Sequence, residues 1–165
     1  RCLVWACPAH YYTNFTYWTQ HCWGVTCVND MEAMLSYQPI TIGDKEQALA
    51  DLVRCYEKMM MRSHTNGGYV NLLDECWKMC EKFHTNIVIM YDHVSCKNVG
   101  GLHGLFEDQA RERGIHLIWI PHDVMDPRTV SRREMREAFS QYMVTVLNEK
   151  PLDPTLLDYE DALSW

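Results

Sequence analysis

One run constrains this chain more than any other: Asn86–Tyr91 (NIVIMY) is apolar at every position after its first. A strand with one wet face alternates apolar and polar residues, whereas an unbroken run of this length suits a strand buried on both faces of a parallel sheet. Ile115–Ile120 (IHLIWI), apolar but for His116, reads as the next strand, ending at Pro121, and Cys2–Ala6 (CLVWA) is a short apolar run that stops at Cys7-Pro8. A shorter β-rich stretch, Val25–Val28, follows the first. Helical signals separate these runs. Asn14 stands where an N-cap would open Phe15–Trp23, with Gly24 at its end. Asp44 and Gln47 have the spacing of a capping box for a helix to about Arg62, whose residues Ala48, Leu52, Cys55, Met59 and Met60 recur at helical spacing. Gly67-Gly68 then breaks the chain before a helix from Tyr69 to Phe83. After the loop Asp92–Gly101, a helix over Leu102–Arg113 closes at Gly114, and Ser131 with Glu134 caps another running to about Asn148. Met31–Ile42 reads as an irregular excursion, and Pro151–Trp165 as a surface extension.

The order is β-α-β, two helices, then β-α-β-α. Strands joined by crossover helices pair in parallel, and right-handed crossovers make 2-1-3-4 the simplest four-stranded order. The expected fold is therefore α/β: a Rossmann-like or flavodoxin-like three-layer domain with a short parallel sheet and helices on both faces. Residues 1–150 are expected to form this single domain and residues 151–165 its extension. Ligands of such sheets bind beyond the carboxyl ends of the strands where the order reverses, here between the first and third. The loops at that place are Cys7–Thr13 and Asp92–Gly101.

Composition narrows the classes. The 165 residues carry a formal charge of −7 with a pI near 5.5, the opposite of the basic face a nucleic-acid binder needs. No apolar run has the ~20 residues of a membrane span. The chain starts with Arg1, not Met, directly ahead of an apolar run, which leads us to expect sequence upstream. Eight cysteines could form a disulfide framework, but that device belongs to short secreted chains without a core, and several of these lie in periodic apolar segments. Cys76 and Cys80 share one helix face. Reduced thiols and ten methionines fit a cytoplasmic protein.

The crevice loops exclude more than they identify. CPAHYYTN has no G-x-G-x-x-G, so a dinucleotide site lacks its motif. A receiver-type phosphorylation site would need an acidic pair after the first strand, and none is there. Cys96 with His93 or His122 could be assembled as nucleophile and base, yet G-x-S-x-G is missing. A metal-thiolate reading of Cys96 rests on a loop position followed by Lys97, since a nearby cation favours the thiolate that iron–sulfur ligation requires. A loop cysteine without a role is equally compatible with these residues.

From Ile87 to Leu147 the sequence is recognisable. IVIMYDHVSCK, then GLHGLFEDQARERGIHLIWIPHDVMDPRTVS, then RREMREAFSQYM resembles the C-terminal domain of the 2-hydroxyacyl-CoA dehydratase and benzoyl-CoA reductase family. The correspondence rests on the buried strand, the Ser95-Cys96-Lys97 loop, the Arg111–Ile115 turn, the Asp126–Ser131 segment, and a helix carrying Arg136, Ala138 and Phe139. Arg1–Phe83 fits the earlier part of the same domain with weaker motifs. The resemblance implies a cytoplasmic heterodimer of an anaerobe, each subunit holding a 4Fe–4S cluster through three cysteines. It implies an ATP-dependent iron–sulfur activator as a further partner, and a lyase reaction that removes water from an (R)-2-hydroxyacyl-CoA through a ketyl radical after one-electron activation. By the same resemblance Cys96 is a cluster and metal ligand, the remaining ligands lying upstream of this chain. Cys7 is then a second cofactor-side thiol, and His93 and His10 are catalytic candidates. His10, Tyr11, Tyr12 and Asn14 stand either near the acyl-CoA or packed against the next helix. His122 and Asp123 follow the last strand, the Asp serving as a cap or turn, and Arg128 pairs with local acids. A benzoyl-CoA reductase-type subunit, or a non-catalytic scaffold or electron-relay module of this fold, is the alternative.

Overall fold

The structure, a computed structural model, describes residues 1–33, 39–57 and 59–158, without the side chains at 60, 61, 63, 65 and 66. The middle of the Met31–Ile42 excursion and the end of the 151–165 tail lie outside the described residues. Four strands, β1 (Cys2–Trp5), β2 (Cys27–Asp30), β3 (Ile87–His93) and β4 (His116–His122), form one parallel sheet in the order β2-β1-β3-β4. Among the described residues six α-helices accompany it: α1 (Phe15–Trp23), α2 (Lys45–Glu57), α3 (Met60–Phe83), α4 (Lys97–Gly100), α5 (His103–Arg113) and α6 (Arg132–Thr145). This is the three-layer α/β architecture, in the order the sequence implies.

The central pair explains the apolar runs. Leu3 to Trp5 of β1 register with Val88 to Met90 of β3, and all of them are buried. Side chains alternate across the sheet, so each face receives half of this apolar load. On one face Tyr91 meets Phe15 edge-on, and Phe15 packs on Trp18 of α1 and Phe139 of α6, with ring centroids 5.7 and 5.9 Å away. On the other, Trp77 of α3 lies 5.7 Å from Phe106 of α5, which in turn meets Trp119 of β4. Aromatic rings so arranged dominate core energetics through the area they bury. No disulfide joins any of the eight cysteines, as expected of a chain that builds a core of this size. Among the described residues no helix is long and apolar enough to cross a membrane.

Local signals held where chemistry and geometry coincide. Gly114 ends α5 in the left-handed conformation at φ +65°, which favours glycine. Ser131 and Glu134 form the complete capping box: the Glu134 N–H donates to the Ser131 hydroxyl, and the Ser131 N–H to the Glu134 carboxylate at 2.7 Å.

Elsewhere the elements differ from expectation. Asn14 makes no side-chain cap; its backbone carbonyl alone accepts from Trp18. Asp44 does accept from the N–H groups of Glu46 and Gln47, but the Gln47 side chain turns away to Asp51, leaving half a box. Its helix stops at Glu57, and the next begins at Met60 and continues through the glycine pair, kinked at Gly68 (φ +74°). The apolar stripe of α2 is half-buried at Ala48 and Cys55 and exposed at Leu52. Helix α6 ends at Thr145, and β2 begins two residues later than Val25. Strand β4 runs on through Pro121, which an edge strand tolerates because the missing N–H can face away from its one neighbour.

Replacing Ser131 by Ala removes the acceptor of the capping box, and urea denaturation should show a loss of about 1 kcal/mol.

Candidate functional site

At the carboxyl end of the sheet, β1 and β3 deliver the loops that the topology marks. Trp5 closes β1, and Ala6 takes a left-handed backbone at φ +65°, turning the chain sharply so that Cys7 stands on the rim. A 3-10 turn, His10–Tyr12, follows and is clamped to the loop after β4. The His10 N–H donates to the Val124 carbonyl (2.8 Å), the Tyr11 hydroxyl to Val130 (2.5 Å), and the Arg132 guanidinium to the Tyr11 carbonyl (2.8 Å). Tyr12 is buried, edge-on to Phe15, and accepts a hydrogen bond from the buried Arg136. The loop tyrosines thus hold the turn in place from beneath.

A cavity of about 160 Å³ opens between the two loops, lined by Ala6, Cys7, Met31, His64, Leu72, Tyr91, His93, Cys96, Asn98 and Val99. It brings together three of the four residues singled out from the sequence: Cys96, Cys7 and His93. His10 is exposed beside it, its Nε2 3.7 Å from the Cys7 sulfur. Cys96, half-buried, precedes the single-turn α4, whose Gly100 N–H donates to the Cys96 carbonyl. Burial, reinforced by the nearby Glu32 carboxylate, pushes the Cys7 thiol up to about 12, so at neutral pH it keeps its proton.

The hydrogen bonds of His93 define its tautomer. Its Nδ1 accepts from the Ser95 N–H at 3.2 Å and lies 3.0 Å from the Ser95 hydroxyl, so in the neutral ring the proton sits on Nε2. That nitrogen is 3.9 Å from Asp123 Oδ2. Asp123 is a turn-former as well: its other oxygen accepts from the Met125 and Asp126 N–H groups, which hold its carboxyl below the usual range. Arg128 engages Asp126 through two nitrogens and brings that carboxyl to about 2, a local pair on the surface.

Two histidines here are buried, and among the described residues neither ring nitrogen of His64 has a hydrogen-bond partner. His122, fully buried, lies edge-on to Tyr91 and His93. His64, on the cavity wall, lies 5.6 Å from the Trp5 ring. Burial holds both below the ordinary histidine value, with Glu75 opposing the shift at His64. Sequence reasoning missed His64 and Glu32. The signal for His64 was faint: it shares a helix face with Leu72, eight positions on, but Gly68 interrupts the period between them. Glu32 lies just past β2, in the irregular excursion.

The pH dependence follows in sign. His64 folded is neutral while His64 unfolded accepts a proton below about 6.5. Its contribution is complete above that pH and is lost as pH falls from there to the lower folded value. His64→Leu, which removes two orphaned nitrogens at similar size, should leave stability near neutral pH unchanged or raised by up to ~1 kcal/mol. Urea midpoints measured from about pH 7.5 to 5.5 should then decline less steeply than in the unaltered protein, by at most ~1.4 kcal/mol per pH unit.

Residues 1–143 match the family described as 2-hydroxyglutaryl-CoA dehydratase, D-component. No curated protein and no solved structure matches the chain.

Proposed function

The chain belongs to the 2-hydroxyglutaryl-CoA dehydratase D-component family, and from that membership we propose that it is part of the 4Fe–4S subunit of an (R)-2-hydroxyacyl-CoA dehydratase. The observation that carries this reading is the small cavity at the β1–β3 switch point with the Cys96 thiol in its wall. The donor chemistry fits. Sulfur is the ligand atom that iron–sulfur clusters take, and the neighbours Met31, Leu72, Tyr91 and Val99 give the cavity a largely apolar lining. Size supports the same assignment. A pocket for a drug-sized ligand has ~300–1,000 Å³, so about 160 Å³ suits a compact inorganic group while the bulk of an acyl-CoA lies elsewhere.

When bound, such a cluster supplies the single electron that activation of a thioester carbonyl requires. Cys96 would hold it from this chain, the other thiolates coming from elsewhere in the subunit. His93 lines the cavity, and the proton on its Nε2, 3.9 Å from Asp123 Oδ2, is the one it would offer in a hydrogen bond to a cavity ligand. Residues 1–150 form the domain that carries this rim, and residues 151–165 its extension. The remaining parts of the proposal are a second dehydratase subunit, an ATP-dependent iron–sulfur activator, and a cytoplasmic location.

The test uses the complete heterodimer purified without oxygen. Cys96→Ser should lower iron and sulfide by one cluster's worth, remove the corresponding EPR signal, and cut dehydration at least ~100-fold. Full retention of iron in that variant would overturn the ligand assignment.

A further inference from the structure

Beside the cavity, three metal-ligating side chains from separate segments converge. Cys7 follows β1, His10 opens the 3-10 turn, and Glu32 lies just past β2, the neighbour of β1. One ligand atom of each lies within 4.8 Å of the other two. We propose that Cys7, His10 and Glu32 together bind one divalent transition-metal ion of the zinc or ferrous class, at a site separate from Cys96.

The geometry is close to what such an ion demands. With metal–sulfur and metal–nitrogen bonds of ~2.3 and ~2.0 Å, a tetrahedral centre sets sulfur and nitrogen ~3.5 Å apart. The Cys7 sulfur and His10 Nε2 are 3.7 Å apart already. One thiolate, one imidazole and one carboxylate make a mixed donor set that suits zinc, ferrous or cobaltous ions and disfavours magnesium and calcium, which take oxygen.

The loop is also held ready. Pro8 restricts the backbone between the two ligands, Ala9 is 1% exposed and anchors the turn in the core, and the His10 N–H is tied to Val124. A thiol–imidazole hydrogen bond would account for Cys7 and His10 alone. It leaves out the Glu32 carboxylate, which comes in from just past the neighbouring strand and sets a third donor within 4.8 Å of the other two. His10 and Glu32 are exposed, so a fourth position faces solvent and is open to water or to an oxygen ligand. Binding displaces the Cys7 proton to solvent, with no change of oxidation state.

Cobalt(II) added to the intact protein without oxygen is the probe. A thiolate-to-cobalt charge-transfer band and the visible bands of a tetrahedral ion should develop to one equivalent. Cys7→Ser should abolish the charge-transfer band, and His10→Ala and Glu32→Gln should each weaken affinity at least ~10-fold. Glu32 is exposed, so Glu32→Gln keeps the proposal testable even where Cys7→Ser disturbs the rim, and circular dichroism monitors the fold of each variant. Cys96→Ser should keep the full cobalt signal. No charge-transfer band in the unaltered protein, a band that survives Cys7→Ser, unchanged affinity in Glu32→Gln, or loss of the signal in Cys96→Ser would each overturn the proposal. The iron content of Cys96→Ser reports on the dehydratase reading independently.

Discussion

The parallel pairing of β1 with β3 is the constraint from which the rest of the structure follows. Because the two strands run the same way, both end at one edge, and the loops leaving them meet there. Because both are covered on each face, their backbones cannot shift register without moving an apolar set out of the core. Cys7 and Cys96 are 89 positions apart in the chain, yet line one cavity because Trp5 is locked opposite Met90. The position of the rim is thus decided in the middle of the sheet, by residues that touch none of its chemistry.

What could be read in advance divides along physical lines. Strand β3 was legible because burial on both faces leaves no alternation, and the Ser131 cap because both halves of a capping box lie within three residues. The switch point follows from element order alone, and the loops it marks carry Cys7, His93 and Cys96. The boundary between α2 and α3 was not legible. Gly67-Gly68 is a strong breaker by composition, yet one residue at φ +74° suffices to kink the helix and let it continue. Asn14 failed for a related reason: a good capping residue next to a helical run acquires that role only if its side chain turns toward the free N–H groups, and here the 3-10 turn determines the approach. His64 and Glu32 were missed because their meaning is tertiary. Neither has a local partner at a telling spacing; each becomes informative only beside β1.

The clamped loop after β1 links these levels. Tyr11, Tyr12 and His10 are adjacent in sequence but face a carbonyl near α6, the aromatic core and the open rim respectively. A 3-10 turn repeats every three residues, so three successive side chains splay in three directions. One short segment can therefore anchor itself twice and still present an imidazole outward. Arg132 and Arg136, one turn apart on α6, reach back to the same segment from the carbonyl and hydroxyl sides. The buried charge of Arg136 is tolerable because it is hydrogen-bonded and lies over the Tyr12 ring, 5.8 Å from its centroid.

Part of the local cost within the described residues lies at the same end of the sheet, at Ala6 and His64, while His84 and Asn148, also left-handed, lie away from it. A left-handed non-glycine residue costs ~1–2 kcal/mol, and a buried polar group without a partner ~1–3 kcal/mol. Ala6 and His64 both lie around the carboxyl ends of β1 and β3. Glycine at position 6 and an aliphatic side chain at 64 would fill the same space at lower cost, so packing alone does not account for the residues present. The aromatic floor of Phe15, Trp18, Tyr91 and Phe139 offsets the cost, holding from below a rim that is locally unfavourable. A rim so held has its nitrogen and sulfur atoms oriented before any ligand arrives, which reduces the ordering a ligand must impose on binding.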